Sequence, residues 1–333
     1  MTGKRSDTHT RDKAVVITGA SSGIGQATAE AFARQGAHLV LAARDPAALE
    51  TVATRCRQMG ARALVVPTDV TDARQVARLA DAALAFCGRI DVWIANVGTG
   101  AVGAFHDVPL DAHEQVLRAN LLGHMNEAHA VLPVFLKRKR GIFINMISLG
   151  GFAAVPYAAA YSASKFGLRG FSEALRGELS PHPHIHVCDV YPSFVDTPGI
   201  AHGANYTGRE LSAPPPLLDA RRVAAAIVTL SRHPRPTTMI GSPTWALRLM
   251  HALSPQLTTW ATAAFLRGYF ARARPIARSN GALFRPPAQA GGIDGGLRAA
   301  RPSGLGTAGL VVLGLGALVL IARPKGRSRR HGS

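Results

Sequence analysis

The sequence predicts an α/β fold built on a doubly wound parallel sheet, and three observations predict it. Short runs rich in β-branched residues alternate with longer helical patterns through about residue 242. Those runs are largely apolar from end to end, as strands covered on both faces should be, where a half-exposed strand would alternate. The first run passes through a Gly-rich turn straight into a helix, which is how a βαβ unit begins.

Taken in order, the strand candidates are AVVIT (14–18), HLVLA (38–42), ALVVP (63–67), DVWIA (91–95), GIFINMIS (141–148), HIHVCDVY (184–191) and TTMIG (237–241). Helical patterns such as GQATAEAFARQG, DARQVARLADAALAFCG and HEQVLRANLLGHMNEAHAVLPVFLKR lie between them. The stretch 192–218 is long for a connection and holds Pro and Gly, which marks a functional flap. After the seventh strand the pattern changes. Residues 245–270 mix aromatic, apolar and basic side chains in a helical manner, and 271–304, rich in Gly, Pro, Ala and Arg, read as a loose linker. Residues 305–322 carry no charge and are followed by a basic tail. The organisation is therefore a polar N-terminal tail (1–12), a catalytic domain (13–242), a helical extension and linker (243–304), a candidate membrane segment (305–322) and a basic tail (323–333).

A chain of 333 residues with 47% hydrophobic and 17% charged residues supports a large core and is not a disordered polypeptide. Three scattered cysteines suit a reducing compartment, and the polar N-terminus lacks the apolar stretch of a secretion signal. The net charge of +18 is uneven: residues 221–301 hold twelve arginines against one acid, Asp294, and the last eleven residues add five basic side chains. Basic charge beside an apolar segment fits anionic lipid better than a nucleic-acid groove, and no recognition motif accompanies it. No nucleic-acid partner is expected. His184 and His186 share one strand face, but no metal is expected. The KRKR run at 137–140 reads as a solvated helix end.

The first strand ends in TGASSGIG, Thr18 to Gly25. Glycines at 19, 23 and 25 let the backbone turn tightly and approach a pyrophosphate, which meets free N–H groups at the helix N-terminus. At the tip of the second strand stand Arg44 and Asp45. An arginine there pairs with the extra phosphate of NADP, and an acid with the ribose hydroxyls of NAD. Both remain open at this point, with NADP(H) the favoured cofactor.

YAAAYSASK (157–165) poses a sharper question, because either tyrosine offers a phenol. Tyrosine is a poor base near neutral pH until a neighbouring cation favours phenolate. Residues four apart share a helix face, so Tyr161 has Lys165 beside it, whereas Tyr157 has only Tyr161. Ser148, thirteen residues before Tyr161, ends the fifth strand, where a crevice opens in such sheets. Tyr161 is the expected proton carrier and Tyr157 a neighbour or pocket wall.

With these motifs in place, the chain from about Lys13 to Gly241 resembles the classical short-chain dehydrogenase/reductases. TGASSGIG at 18–25, TDV at 68–70, Asn–x–Gly after the fourth strand, Asn120, Ser148 and YSASK at 161–165 stand in the family's order. The resemblance implies a Rossmann-type sheet with strand order 3-2-1-4-5-6-7. It also implies interconversion of a carbonyl and a secondary alcohol, with Tyr161 as acid/base. Lys165 would lower its pKa and hold the nicotinamide ribose, Ser148 would orient the carbonyl, and Asn120 would anchor a water. For the cofactor it implies Gly19, Ser21, Ser22, Gly23, Ile24 and Gly25 in the turn, Asp69 and Val70 beside the adenine, and Asn96 and Gly98 near the adenosine ribose. Val195 and Thr197 would lie near the nicotinamide carboxamide. Two departures stand out: the family's Asn-Asn-Ala-Gly reads Ala95-Asn96-Val97-Gly98, and its Pro-Gly after the sixth strand reads Pro192-Ser193.

The expectation is thus an NADP(H)-dependent oxidoreductase acting on a lipophilic carbonyl or alcohol. Its catalytic domain would be cytoplasmic and membrane-associated through the C-terminal segment. The resemblance implies a homodimer or homotetramer built on helices around 112–137 and 158–179. A cofactor-binding scaffold without turnover and a basic nucleic-acid binder are the alternatives.

Overall fold

A computed structural model of the chain describes residues 12–287 and 291–298. Seven parallel strands form the central sheet: β1 (Ala14–Thr18), β2 (His38–Ala43), β3 (Arg62–Pro67), β4 (Val92–Ala95), β5 (Gly141–Met146), β6 (Ile185–Pro192) and β7 (Thr237–Ile240). Their spatial order is 3-2-1-4-5-6-7, with β1 between β2 and β4, so the order reverses at the C-terminal ends of β1 and β4. Ligands bind at such a switch point in open parallel sheets.

Side-chain alternation divides the core in two. Val15, Ile17, Leu39 and Leu41 pack on the face covered by α1 (Gly23–Ala33), α2 (Pro46–Gln58) and α8 (Ala220–Leu230). Val16, Val40, Trp93 and Phe143 pack on the other, against α3 (Ala73–Cys87) and α5 (Gly123–Arg138). Close approach fixes Gly141, since a Cβ there would lie 2.1 Å from the Phe135 ring.

Local signals set the helix ends. Asp45 accepts from the N–H groups of Ala47 and Ala48 and caps α2, whose first residue is Pro46. Asp72 and Asp219 cap α3 and α8 in the same way. Helix α4 (Leu110–Leu117) runs through a π turn (Arg118–Leu122) into α5, and α6 (Ala159–Glu178) carries the YSASK motif.

Several expectations need correction. Strand β5 stops at Met146, and Ser148 lies beyond it in a separate turn. The 245–270 stretch breaks at Ser254 into α9 (Ser242–Leu253) and α10 (Pro255–Arg272), because Pro255 starts a new helix. In the 192–218 flap, a short helix α7 (Gly199–His202) lies among two-residue strands at 195–196, 204–205 and 218–219. The basic run at the end of α5 is not simply solvated, since Arg138 pairs with Asp91 and donates to the carbonyl of Ile90. Residues 274–287 and 291–298 do not trail away as a linker but hydrogen-bond across the domain. The apolar segment 305–322 and the basic tail lie outside the described residues. Among the described residues no helix is long and apolar enough to cross a membrane.

Candidate active site

The site lies at the C-terminal ends of the strands. At the end of β1, Gly19 and Gly23 take φ of +60° and +54°, which only glycine adopts without strain. A Cβ on Gly25 would lie 2.0 Å from the carbonyl oxygen of Gly19, so the third glycine is required by close approach. Asn96 Nδ2 donates to the carbonyls of Thr18 and Gly19 at 3.1 and 3.2 Å, and its own N–H donates to Thr18 Oγ1. The turn is therefore braced from β4. Such a backbone cradle opening on the N-terminus of α1 fits a dinucleotide's phosphates, and Ser21, Ser22 and Ile24 line the same bend.

Beneath the cradle is a feature that sequence reading missed. Glu127 of α5 is fully buried and accepts from the Trp93 indole at 2.6 Å and from Thr18 Oγ1 at 3.2 Å. Burial pushes its carboxyl up to about 8, against the opposing effect of those two donors.

At the tip of β2, Asp45 caps α2, and Arg44 beside it is not part of that cap. Its guanidinium donates to the carbonyls of Ala282 (2.6 Å), Leu283 (3.2 Å) and Arg285 (3.4 Å). Asp69 turns its carboxylate onto the N–H and hydroxyl of Thr71, and Val70 is buried against Gly123. Thr197 sits against Gly23, and Val195 is buried in the short strand beside it.

The predicted catalytic residues converge. Tyr161 is flanked by two glycines: a Cβ on Gly150 would lie 3.1 Å from its Cε1 and one on Gly100 3.8 Å from its Cδ2. Ser148 adopts φ 141°, ψ 165°, a conformation unusual for any residue with a Cβ. Burial pushes the Tyr161 phenol up, while a hydrogen bond with Ser148 pulls it down. Lys165 is 3% exposed, its Nζ donates to the carbonyl of Met146 at 3.0 Å, and burial depresses it to about 7. Gly98 lies over the same ammonium, where a Cβ would be 3.8 Å away.

Asn120 sits in the π turn, fully buried. Its amide exchanges two 2.8 Å hydrogen bonds with the backbone of Thr99 and donates to Ser164 Oγ at 3.1 Å. It thereby holds the loop after β4 against α6. Tyr157 points elsewhere, with its ring edge-on to Phe270 of α10 at 5.2 Å. His124, also unforeseen, is buried below Lys165 and bridges Asn145 and the Val97 carbonyl. Burial and the nearby Lys165 charge depress it to about 4.

Comparison with known proteins agrees with this geometry. The short chain dehydrogenase family model matches residues 13–204. An uncharacterised oxidoreductase of Bacillus subtilis is 32% identical over 256 residues, covering 74% of this chain and 70% of its own. A 3-ketodihydrosphingosine reductase of Bacteroides thetaiotaomicron is 38% identical over 183 residues, 55% of this chain, and the match spans just under two thirds (64%) of that relative. Among solved structures, an alcohol dehydrogenase of Thermococcus sibiricus complexed with 5-hydroxy-NADP superposes with a TM-score of 0.62 at 26% identity, covering 69% of this chain and 96% of that one. A Burkholderia phymatum short-chain dehydrogenase/reductase in complex with NAD gives 0.63 at 25% identity, covering 81% and 98%. A glycine cradle at the switch point, a tyrosine with a buried lysine one turn on, and a family match across both place this chain in the short-chain dehydrogenase/reductase family of oxidoreductases.

Proposed function

We propose that the protein interconverts a carbonyl and a secondary alcohol with NADP(H), on a lipophilic substrate. The observation that carries this reading is the convergence of Tyr161, Ser148 and the buried Lys165 at one point of the cleft. When bound, the dinucleotide supplies or accepts a hydride. The chain's own residues manage the proton and the oxygen. In reduction, the Tyr161 hydroxyl donates its proton to the substrate oxygen as negative charge develops there, and Ser148 donates a second hydrogen bond to the same atom. Lys165 favours the phenolate left behind, since a cation beside an acid lowers its pKa. Oxidation runs the same transfers backwards.

Arg44 favours NADP(H) over NAD(H), because an arginine stands at the β2 tip while the neighbouring acid is used as a helix cap. The lipophilic substrate is supported by the apolar α9–α10 segment, where Trp245, Leu249, Leu253, Trp260 and Phe265 are exposed beside Arg248 and Arg267. It is supported too by the similarity to a 3-ketodihydrosphingosine reductase. The same surface and the 305–322 segment together favour association with a membrane. A homo-oligomer would use Leu122, Met125 and Leu136 of the π turn and α5 with Phe166 of α6, all exposed in the single chain.

Incubation of full-length protein with NADPH and a panel of lipophilic ketones tests the reading by following cofactor consumption. Tight NADPH binding with no turnover across the panel would instead return the scaffold alternative.

A further inference from the structure

The stretch beyond α10 doubles back across the cleft on a defined path. Ser279 pairs with Asn205 of the flap through two backbone hydrogen bonds of 2.8 and 2.9 Å. Tyr206 Oη donates to Asn280 Oδ1, and the Ala282 N–H to the carbonyl of His202, both at 2.8 Å. The chain then reaches the tip of β2, where three backbone carbonyls, of Ala282, Leu283 and Arg285, take the Arg44 guanidinium. Leu283 is 1% exposed, in the apolar cluster against which Tyr161 packs. Further on, Gly291 lies against Ser22, and the carbonyl of Gly292 accepts the Gly23 N–H at 2.9 Å. The N–H groups of Leu297 and Arg298 end on the Asp196 carboxylate at 3.0 Å, and the Arg298 guanidinium pairs with Asp196, Asp219 and Asp294.

Two of these contacts matter together. An arginine at the β2 tip and a free N–H at the α1 N-terminus are the donors that a phosphorylated dinucleotide needs. Both are occupied by carbonyl oxygens of the chain itself, from points about ten residues apart. Gly23 has one backbone hydrogen, and it cannot serve the chain's carbonyl and a phosphate at once.

We propose that residues 279–285 and 291–298 form an intrasteric strap, a pseudo-ligand whose carbonyls hold the phosphate donors and which the dinucleotide must displace. This rests on the reading of the cleft as a dinucleotide site. Phosphate oxygens form charge-assisted hydrogen bonds, roughly twice as strong as those of neutral carbonyls, so NADP(H) wins the donors while the strap raises the apparent Kd by the reciprocal of the fraction of molecules in which it is open. Its displacement also opens the hydrogen bonds made by the strap's own amides, of Ser279 to Asn205, of Ala282 to His202 and of Leu297 and Arg298 to Asp196.

Hydrogen exchange on the full chain, with and without saturating NADPH, reads this directly. Peptides covering 279–285 and 291–298 exchange faster with the cofactor bound; slower or unchanged exchange overturns the proposal, slower exchange marking a lid that closes over the cofactor. Two full-chain variants give the affinity arm. Gly281→Val cannot seat, since φ is +49° and its Cβ would lie 2.3 Å from the His202 carbonyl, whereas Arg298→Ala removes the far anchor without a clash. Each binds NADPH tighter than the wild type by about three- to thirtyfold, the rise expected as the open fraction grows, with apo melting confirming that the fold persists. Equal or weaker binding in both variants overturns the strap but leaves the function standing. Failure of every form to bind either dinucleotide overturns both.

Discussion

Lys165 Nζ lies 5.8 Å from the centroid of the Tyr161 ring, one helical turn along α6, and is held by the carbonyl of Met146 at 3.0 Å. Tyr157, four residues before Tyr161, faces Phe270 of α10 instead. Tyr161→Phe therefore lowers kcat by about 10²- to 10⁴-fold, the usual worth of a positioned acid, and leaves NADPH binding intact. Tyr157→Phe remains active. Steady-state kinetics beside a binding titration checks both, and equal losses would remove Tyr161 from its role.

Ser148 pulls the Tyr161 phenol down against burial, which pushes it up. Removing the hydroxyl leaves only the upward effect. Ser148→Ala accordingly moves the alkaline-going limb of the pH–rate profile for alcohol oxidation to higher pH, as well as lowering the rate. A profile of unchanged position would mean that the serine only orients substrate.

Asp45 caps α2, and the neighbouring Arg44 guanidinium at the β2 tip is held by backbone carbonyls. A charge-assisted contact is worth roughly 1.5–3 kcal/mol, so Arg44→Ala weakens NADPH by about ten- to a hundredfold and does not weaken NADH. Isothermal titration with both dinucleotides decides it; an unchanged preference refutes the assignment.

Glu127, raised to about 8 by burial, makes a stability prediction. Between its ordinary value of 4.5 and about 8 the folded chain holds a proton that the unfolded chain has lost. Stability from this group therefore falls as pH rises through that window. Glu127→Gln keeps the shape and removes the titration. Its Tm relative to wild type rises from pH 5 to pH 9, on the order of several °C, and a flat difference across the range would show that the carboxyl does not titrate there.

The proposed membrane association rests on the apolar and basic C-terminal third. Full-length protein sediments with anionic lipid vesicles, and a chain ending at Ala300 does so less. Eighteen helical residues rise about 27 Å, just short of a hydrocarbon core near 30 Å, and crossing would carry the five basic residues of the tail outward. A shallow insertion is expected, with the tail accessible to protease from the side of the catalytic domain. If both forms stay in the supernatant, there is no anchor.

The sheet was legible because its causes are local. Apolar runs covered on both faces, Asp and Pro at helix starts and glycines where φ is positive all act within a few residues, so strands and strand order followed from pattern and resemblance. The Tyr161–Lys165 pair was legible for the same reason, since four residues make one helical turn. The paths of residues 274–287 and 291–298 were not. Gly, Pro, Ala and Arg in those stretches have no period, and what holds the first are backbone carbonyls that meet Arg44 some 240 residues away in sequence. One clue was present: Asp294, the only acid among twelve arginines in 221–301, pairs with both Arg221 and Arg298. Glu127 and His124 escaped for a related reason. A polar residue in a helix reads as solvated until the sheet closes over it, and only then does burial shift its proton. The sequence by itself determined the sheet, the cradle and the tyrosine–lysine pair, because short-range spacing suffices for each. Only the tertiary structure decided that the chain's own carbonyls reach Arg44 and the Gly23 N–H, because that depends on which distant backbone arrives there.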